Sequence, residues 1–249
     1  MSASWLRMLA RGLFFRSLHQ SRYTYPVSSE FLGSSSFNIV NPRHHVVATD
    51  NVSQMFPAAA IAGLSDEKVL ALFTSGFFGG VIFGFERWIL KIGLSNLLPA
   101  RYTGLQPDPQ AVTIWNLSEL PNTHLLPVGS CFFGSFRILD KHIAEPSSHS
   151  SSYVDYGFGS DESIFAGCHR FQITRPLSSI NSESGSAGKQ PEPQVQIQLQ
   201  HFRCNPQKNV PSVAEYIERF HYIYAKMLFA NGIQSLLERE LSREQFHTQ

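Results

Sequence analysis

The stretch Phe73–Lys91, "FTSGFFGGVIFGFERWILK", packs five phenylalanines, four glycines and a tryptophan into nineteen residues, with charge arriving only at Glu86 and Arg87. Two folds compete for it. From Val69 to Phe85 seventeen residues carry no charge, and Gly76, Gly80 and Gly84 recur four apart. A helix crossing a bilayer needs about 20 apolar residues, with a lower limit near 17, and small residues at that spacing let membrane helices pack closely. Against a span, Glu86, Arg87 and Lys91 interrupt the run, and no second hydrophobic stretch exists to pack on it. Each glycine also weakens a helix in water by about 1 kcal/mol relative to alanine. The soluble reading starts a helix at Ser65, where the hydroxyl caps and Asp66 and Glu67 complement the dipole. That helix ends near Gly79, and the glycines admit close backbone approach. Glu86 and Arg87 then open a second amphipathic turn with Trp88, Leu90 and Leu94. The soluble fold is the expectation, and a membrane anchor over 69–92 is the alternative.

Composition narrows the function classes. Apolar residues make up 43% of the 249, enough for a core, while charged residues reach only 16% and phenylalanine alone contributes twenty. Such a chain either encloses an aromatic cavity or meets lipid. The net charge of +1 supplies no field for nucleic acid, and no basic stripe with interleaved aromatics is present. Cys131, Cys168 and Cys204 are odd in number and lack CxxC spacing, so neither a disulfide framework nor a zinc site is expected. The N-terminal "MSASWLRMLARGLFFRSLHQSRY" carries four arginines and no acid before Glu30, with Trp5, Leu9, Leu13 and Phe14 on a rough helical face. It has the composition of a mitochondrial transit peptide, the alternative being an untargeted basic tail in a cytoplasmic protein.

The chain divides into a basic tail (1–30), a helical or irregular part holding the Gly/Phe-rich segment (31–110), and an α+β domain (111–241). In the second part, "SSEFLGSSSFNIVNPRHHVVATDN" (28–51) is turn-rich and reads as loops with one short strand. From Ala111 strands follow one another. "AVTIW" (111–115) is short. "VGSCFFGSFRILD" (128–140) is longer, with Phe132, Phe136 and Ile138 on one face. "YVDYGFG" (153–159) alternates, and so does "FAGCHRFQITR" (165–175). "VQIQLQHFRC" (195–204) alternates strictly and is the clearest strand in the chain. Between these last two, 176–194 is rich in Ser, Pro and Gly and reads as a disordered loop. A long helix then starts at Pro211 and Ser212. Val213, Tyr216, Ile217, Phe220, Ile223, Tyr224, Met227 and Leu228 recur at three and four, Leu236, Leu237 and Leu241 extend the face, and Gly232 is placed to bend or split it. The fold class is α+β: a curved antiparallel sheet closed by a long C-terminal helix, with a cavity between them.

"YVDYGFGSDES", "FAGCHRFQI" and "VQIQLQHFRCNP", followed by a long aromatic helix, resemble a poorly characterised START-like α+β domain family. The resemblance covers roughly 110–240. In that family a strand ending in Gly-Tyr-Gly leads to a strand with a polar face, and a strand ending in Phe-Ser-Lys-Pro precedes the C-terminal helix. The sequence departs from the pattern at "SDESIFAGCHR", which lacks the family's Gly-His-Pro-like turn and Gly-Glu-Glu-like strand start. What the resemblance implies is a START-like fold with an internal ligand cavity. It implies no reaction.

Pairing the last two strands with Thr174 near Gln194 sets His169 opposite Leu199 and Gly167 opposite His201. Residues of one parity share a face. That face is apolar at one end and carries His169, His201 and Arg203 at the other. Histidine transfers protons near neutrality, so His169 and His201 are the candidate catalytic residues. Asp155, beside the "GFG" turn, is the acid placed to orient an imidazole. Arg203, Phe171, Phe136, Tyr156 and Tyr224 are the candidate ligand-binding residues. Asp161 and Glu162 are ordinary turn acids. His44 and His45 are adjacent and point to opposite faces of a strand, so no metal is expected there. "GFGSD" lacks the lysine and helix of a phosphate loop, and no GxSxG supports a serine nucleophile.

The expectation is therefore a domain that binds a hydrophobic small molecule, with no cofactor, no metal and no nucleic acid. As an enzyme it would be a cyclase or isomerase of specialised metabolism, working through histidine acid–base chemistry. The alternative is an interaction or scaffold protein at a mitochondrial membrane. Nothing in the sequence sets an oligomeric state.

Overall fold

The computed structural model describes residues 3–91, 99–145, 150–175, 192–212 and 215–246. Helix α1 (Ala3–Gln20) leads to strand β1 (Arg22–Thr24), then short helices α2 (Ser29–Leu32) and α3 (Ser35–Val40), and strand β2 (Val47–Pro57). Helices α4 (Asp66–Gly79) and α5 (Val81–Lys91) follow. Strands β3 (Thr113–Ile114), β4 (Cys131–Phe132), β5 (Phe136–His142), β6 (Ser152–Gly159), β7 (Ala166–Thr174) and β8 (Gln194–Cys204) precede helix α6 (Glu215–Phe246). The strands form one sheet in the order β1-β2-β8-β7-β6-β5-β4-β3, antiparallel except for the β3–β4 pair. The sheet is open, running from β1 at one edge to β3 at the other.

The fold is thus α+β, with a mostly antiparallel sheet and a long C-terminal helix. One face of the sheet carries α4 and α6, and the other carries α3. Val52, Ile138, Val154, Tyr156, Phe171, Ile173, Ile197 and Leu199 join α4 and α6 in the larger core. Phe31, Phe37 and Val40 cover Phe202, Cys168, Cys204 and Leu139 in the smaller one.

The α4 part of the Gly/Phe-rich stretch, with Phe83 and Leu90 of α5, belongs to the larger core. Ser65 Oγ accepts from Lys68 N, and Asp66 and Glu67 occupy the first turn of α4. Val69, Leu70, Phe73, Phe77 and Phe78 are buried, and each phenylalanine there contributes about 1.5–3 kcal/mol. The glycine spacing serves helix packing on α6. A Cβ on Gly76 would lie 2.5 Å from Asn231 O, and one on Gly232 would lie 2.5 Å from the Phe73 ring. The chain breaks at Gly80, and α5 leaves at 58° to α4. Among the described residues no single helix is long and apolar enough to cross a membrane, whereas the bent α4–α5 pair meets that test by length and composition.

Several readings are corrected. The turn-rich segment holds α2 and α3 and runs into an eleven-residue strand, β2, which pairs with β8 from Val47↔Cys204 to Pro57↔Gln194. "VGSCFFGSFRILD" is two strands, because Phe133 and Gly134 take positive φ (53° and 74°) and turn the chain, setting Phe132 opposite Phe136. The β7–β8 register is two residues from the expected one: His169 pairs with His201 and Thr174 with Gln196. Helix α6 runs unbroken through Gly232, and Ile223, expected on its buried face, is 57% exposed. Side chains of Val213, Tyr216, Ile217, Phe220 and Leu241 lie outside the described residues. So does the expected loop, except for its last three positions, where Pro193 O accepts from Ala58 N and Gln194 opens β8. The N-terminal segment forms α1, whose buried Ser17 donates to Gln54 Oε1 across to β2.

Candidate functional site

A pocket of about 210 Å³ lies between the helical face of the sheet and α4, α5 and α6. Phe77, Phe83, Phe136, Phe158, Leu199 and Leu228 form its apolar wall. Strand alternation explains which polar groups reach it. On β8, Leu199, His201 and Arg203 share the parity of the core residues Val195 and Ile197. On β7, His169 shares that of Phe171 and Ile173. Cross-strand pairing then puts His169 and His201 side by side, with rings stacked at 4.8 Å.

The neighbouring strand β2 adds Asp50, directly opposite His201. Asp50 Oδ2 lies 2.9 Å from His201 Nδ1 and 3.1 Å from His221 Nε2, and Arg203 Nη1 stands 3.9 Å away. Asp50 is only 2% exposed. Burial pushes its pKa up, but the attraction and hydrogen bonds of His201 and His221 outweigh that and hold it well below the usual carboxylate range. Burial, aided by His201 and His221, pushes the His169 imidazole well below its ordinary pKa, which favours the neutral ring. Phe158 and Phe136 flank that ring at 5.0 and 6.1 Å.

In the residues of the pocket wall, Asp50 Oδ1, His169 Nδ1 and Ser135 Oγ are buried and have no hydrogen-bond partner among the described residues. Buried polar atoms are normally satisfied, so these atoms are exceptions to the general rule. At another part of the wall, Tyr224 OH donates to Glu86 Oε2 at 2.5 Å. Burial raises the Glu86 pKa, with the Tyr224 hydrogen bond only partly opposing it.

Of the residues singled out in the sequence, His169, His201, Arg203, Phe136 and Tyr224 line this pocket. Phe171 and Tyr156 lie on the same face but are fully buried in the core, where Tyr156 OH pairs with Thr74 Oγ1 at 2.9 Å. Asp155 is on the other face. It forms a two-pronged ion pair with buried Arg170, at 2.8 Å on each prong, and that guanidinium packs on the rings of Phe31 and Tyr153. It cannot orient either histidine. The carboxylate in that role is Asp50, which the sequence reading passed over, as it did His221, Glu86 and Ser135. A signal existed for two of them. Asp50 alternates with Val52 and Phe56 on one strand face, and His221 precedes Ala225 and Leu228 at helical spacing.

The architecture defines an α+β protein with an aromatic pocket and a His–Asp–His cluster. No protein-family model matches the chain, and neither the curated proteins nor the solved structures include a match to it.

Proposed function

We propose that the chain is a START-like ligand-binding domain whose pocket takes a compact hydrophobic molecule and that, as an enzyme, it isomerises or cyclises that molecule by proton transfer. The observation that carries this reading is that Asp50, His169 and Ser135, each with a buried polar atom lacking a hydrogen-bond partner among the described residues, line a pocket walled by phenylalanine. Apolar walls with a few unpaired polar groups are the common form of a small-molecule site. An apolar cavity of about 150 Å³ holds benzene, so 210 Å³ suits one ring or two fused rings carrying a carbonyl or hydroxyl. His169 is the candidate proton carrier, since it lines the pocket and its Nδ1 has no hydrogen-bond partner among the described residues.

Native mass spectrometry of the purified full chain tests the binding half. The expected result is a co-purifying mass of a small organic molecule, or saturable uptake of 2-naphthol that His169→Ala weakens and Gln196→Ala, on the opposite face, does not. Equal binding by wild type and His169→Ala would overturn the assignment. Deuterium incorporation from D2O into a recovered ligand, lost in His169→Ala, tests the proton-transfer half.

A second reading is favoured by one observation. Val81, Phe85 and Trp88 follow one side of α5 and are 87%, 71% and 59% exposed. They suit a scaffold or interaction protein held at a mitochondrial membrane. The apolar side chains of α4 are committed to the core, so this contact would be peripheral rather than a span. Co-sedimentation with cardiolipin-containing vesicles separates the readings: a peripheral protein pellets with the vesicles and loses that binding in Phe85→Ser with Trp88→Ser, and an unattached protein stays in the supernatant.

A further inference from the structure

We propose that Asp50, His201 and His221 form a binding site for a divalent transition-metal ion of the zinc and iron class, with open coordination positions facing the pocket. The three residues come from β2, β8 and α6, and their ligand atoms all lie within 4.8 Å of one another. Two ligands held at about 2.1 Å from one ion, at right or tetrahedral angles, stand about 3.0–3.4 Å apart. The Oδ2–Nδ1 and Oδ2–Nε2 separations of 2.9 and 3.1 Å need little or no adjustment to meet that geometry. A second observation also asks for a cation: Asp50 Oδ1 is buried and has no hydrogen-bond partner among the described residues. Leaving a carboxylate oxygen buried and unpaired is costly, and an ion bridging toward it removes that cost.

The donor set selects the class of metal. Two imidazoles and one carboxylate match catalytic zinc and the facial triad of non-haem iron(II), both of which leave positions for water or substrate. Calcium and magnesium prefer all-oxygen sites, and no thiol stands among these donors to favour copper(I) or an iron–sulfur cluster. Arg203 Nη1 forms an ion pair with Oδ2 at 3.9 Å, a distance beyond hydrogen-bond reach. The His221 side chain is 22% exposed, which gives an ion a route in. An ion here would sit beside His169, placed to polarise a ligand oxygen while His169 handles a proton. The ion site itself does not depend on the ligand reading, because its occupancy is measured without a ligand.

The test uses the untagged full chain, stripped with EDTA and titrated with Zn2+ or Co2+. The expected result is one ion per chain by native mass spectrometry, a Co2+ visible spectrum, and a Zn2+-dependent rise in Tm. His221→Ala removes a partly exposed side chain, so it should keep its far-ultraviolet circular dichroism yet bind about a hundredfold or more weakly. Asp50→Asn should do likewise, and Gln196→Ala, on the opposite face of β8, should bind as wild type does. Absence of stoichiometric binding by wild type, or wild-type affinity in folded His221→Ala, would overturn the site.

Discussion

The carboxylate that meets His201 belongs to Asp50, 151 residues earlier in the chain and directly opposite it across the β2–β8 pair. Asp155 is much nearer to His201 in sequence but lies across the thickness of the sheet. The two acids consequently fail in different ways when neutralised.

Asp155→Asn strips the partner from Arg170, which is fully buried. Breaking one side of a buried pair costs about 3–5 kcal/mol, because the remaining charge stays in a poor solvent. Urea denaturation should show a loss of that size. Asp66→Asn, which breaks the more exposed pair with Arg175, should cost about 1 kcal/mol or less. Where folded Asp155→Asn persists, its Zn2+ and 2-naphthol binding should match wild type, and a selective loss of either would place Asp155 back in the site.

Gly76→Ala and Gly84→Ala should move stability in opposite directions. At Gly76 the new methyl meets Asn231 O and Ser235 Cβ, each at 2.5 Å, so α4 and α6 must separate. Overpacking of this kind costs about 1–3 kcal/mol. At Gly84 the nearest atom is the flexible tip of Arg87 at 3.4 Å, and alanine recovers up to about 1 kcal/mol of helix propensity. Thermal unfolding of the two variants decides it, and equal shifts would contradict the proposed helix contact.

Phe229→Ala should cost about 3–5 kcal/mol. Its ring is fully buried on α6 and meets Phe73 edge-on at 5.4 Å, at the centre of the α4–α6 contact. Exposed Ile223→Ala, from the same helix, should change stability by about 0.5 kcal/mol or less. A mild Phe229→Ala would mean that α6 does not seal the core there.

Glu86 sets a pH dependence. Its pKa in the fold is raised above the ordinary 4.5 by burial. A raised acid favours folding in its protonated form, so its contribution is complete below 4.5 and is lost as pH rises through the higher folded value. Glu86→Gln keeps a neutral, hydrogen-bonding group at all pH values. Wild type should therefore lose stability relative to Glu86→Gln as pH increases above 4.5. Parallel profiles would show that Glu86 is not strained by its surroundings.

Much of the β6–β8 unit was legible because alternation has a period of two. The expected β7–β8 register was displaced by two residues, and an even displacement leaves every side chain on the same face. His169, His201 and Arg203 were therefore grouped correctly under a wrong pairing. Asp155 was misplaced for the complementary reason. Which face of β6 matches which face of β7 depends on the turn between Gly159 and Ala166, and no local pattern states how that turn is counted. β2 was missed because Asn, Pro and Ser around it speak for turns, while the partner that makes it a strand lies on β8. Asp50 and its approach to His201 were hidden with it. The N-cap at Ser65 and the end of α4 at Gly79 were readable, since both depend on neighbours within a few residues.

The end-to-end pairing of β2 with β8 has a cost in time during synthesis. Translation at about 5–20 residues per second separates the two strands by roughly 8–30 seconds. Through that interval the growing chain carries an eleven-residue strand whose eventual partner does not yet exist, with only the three-residue β1 available at its other edge. An unpaired edge bearing Val52 and Phe56 is a template for association with other chains. Long-range closure also makes refolding slow. Yield of native protein should thus depend on chaperone supply and on a low rate of initiation more than on the final stability of the sheet.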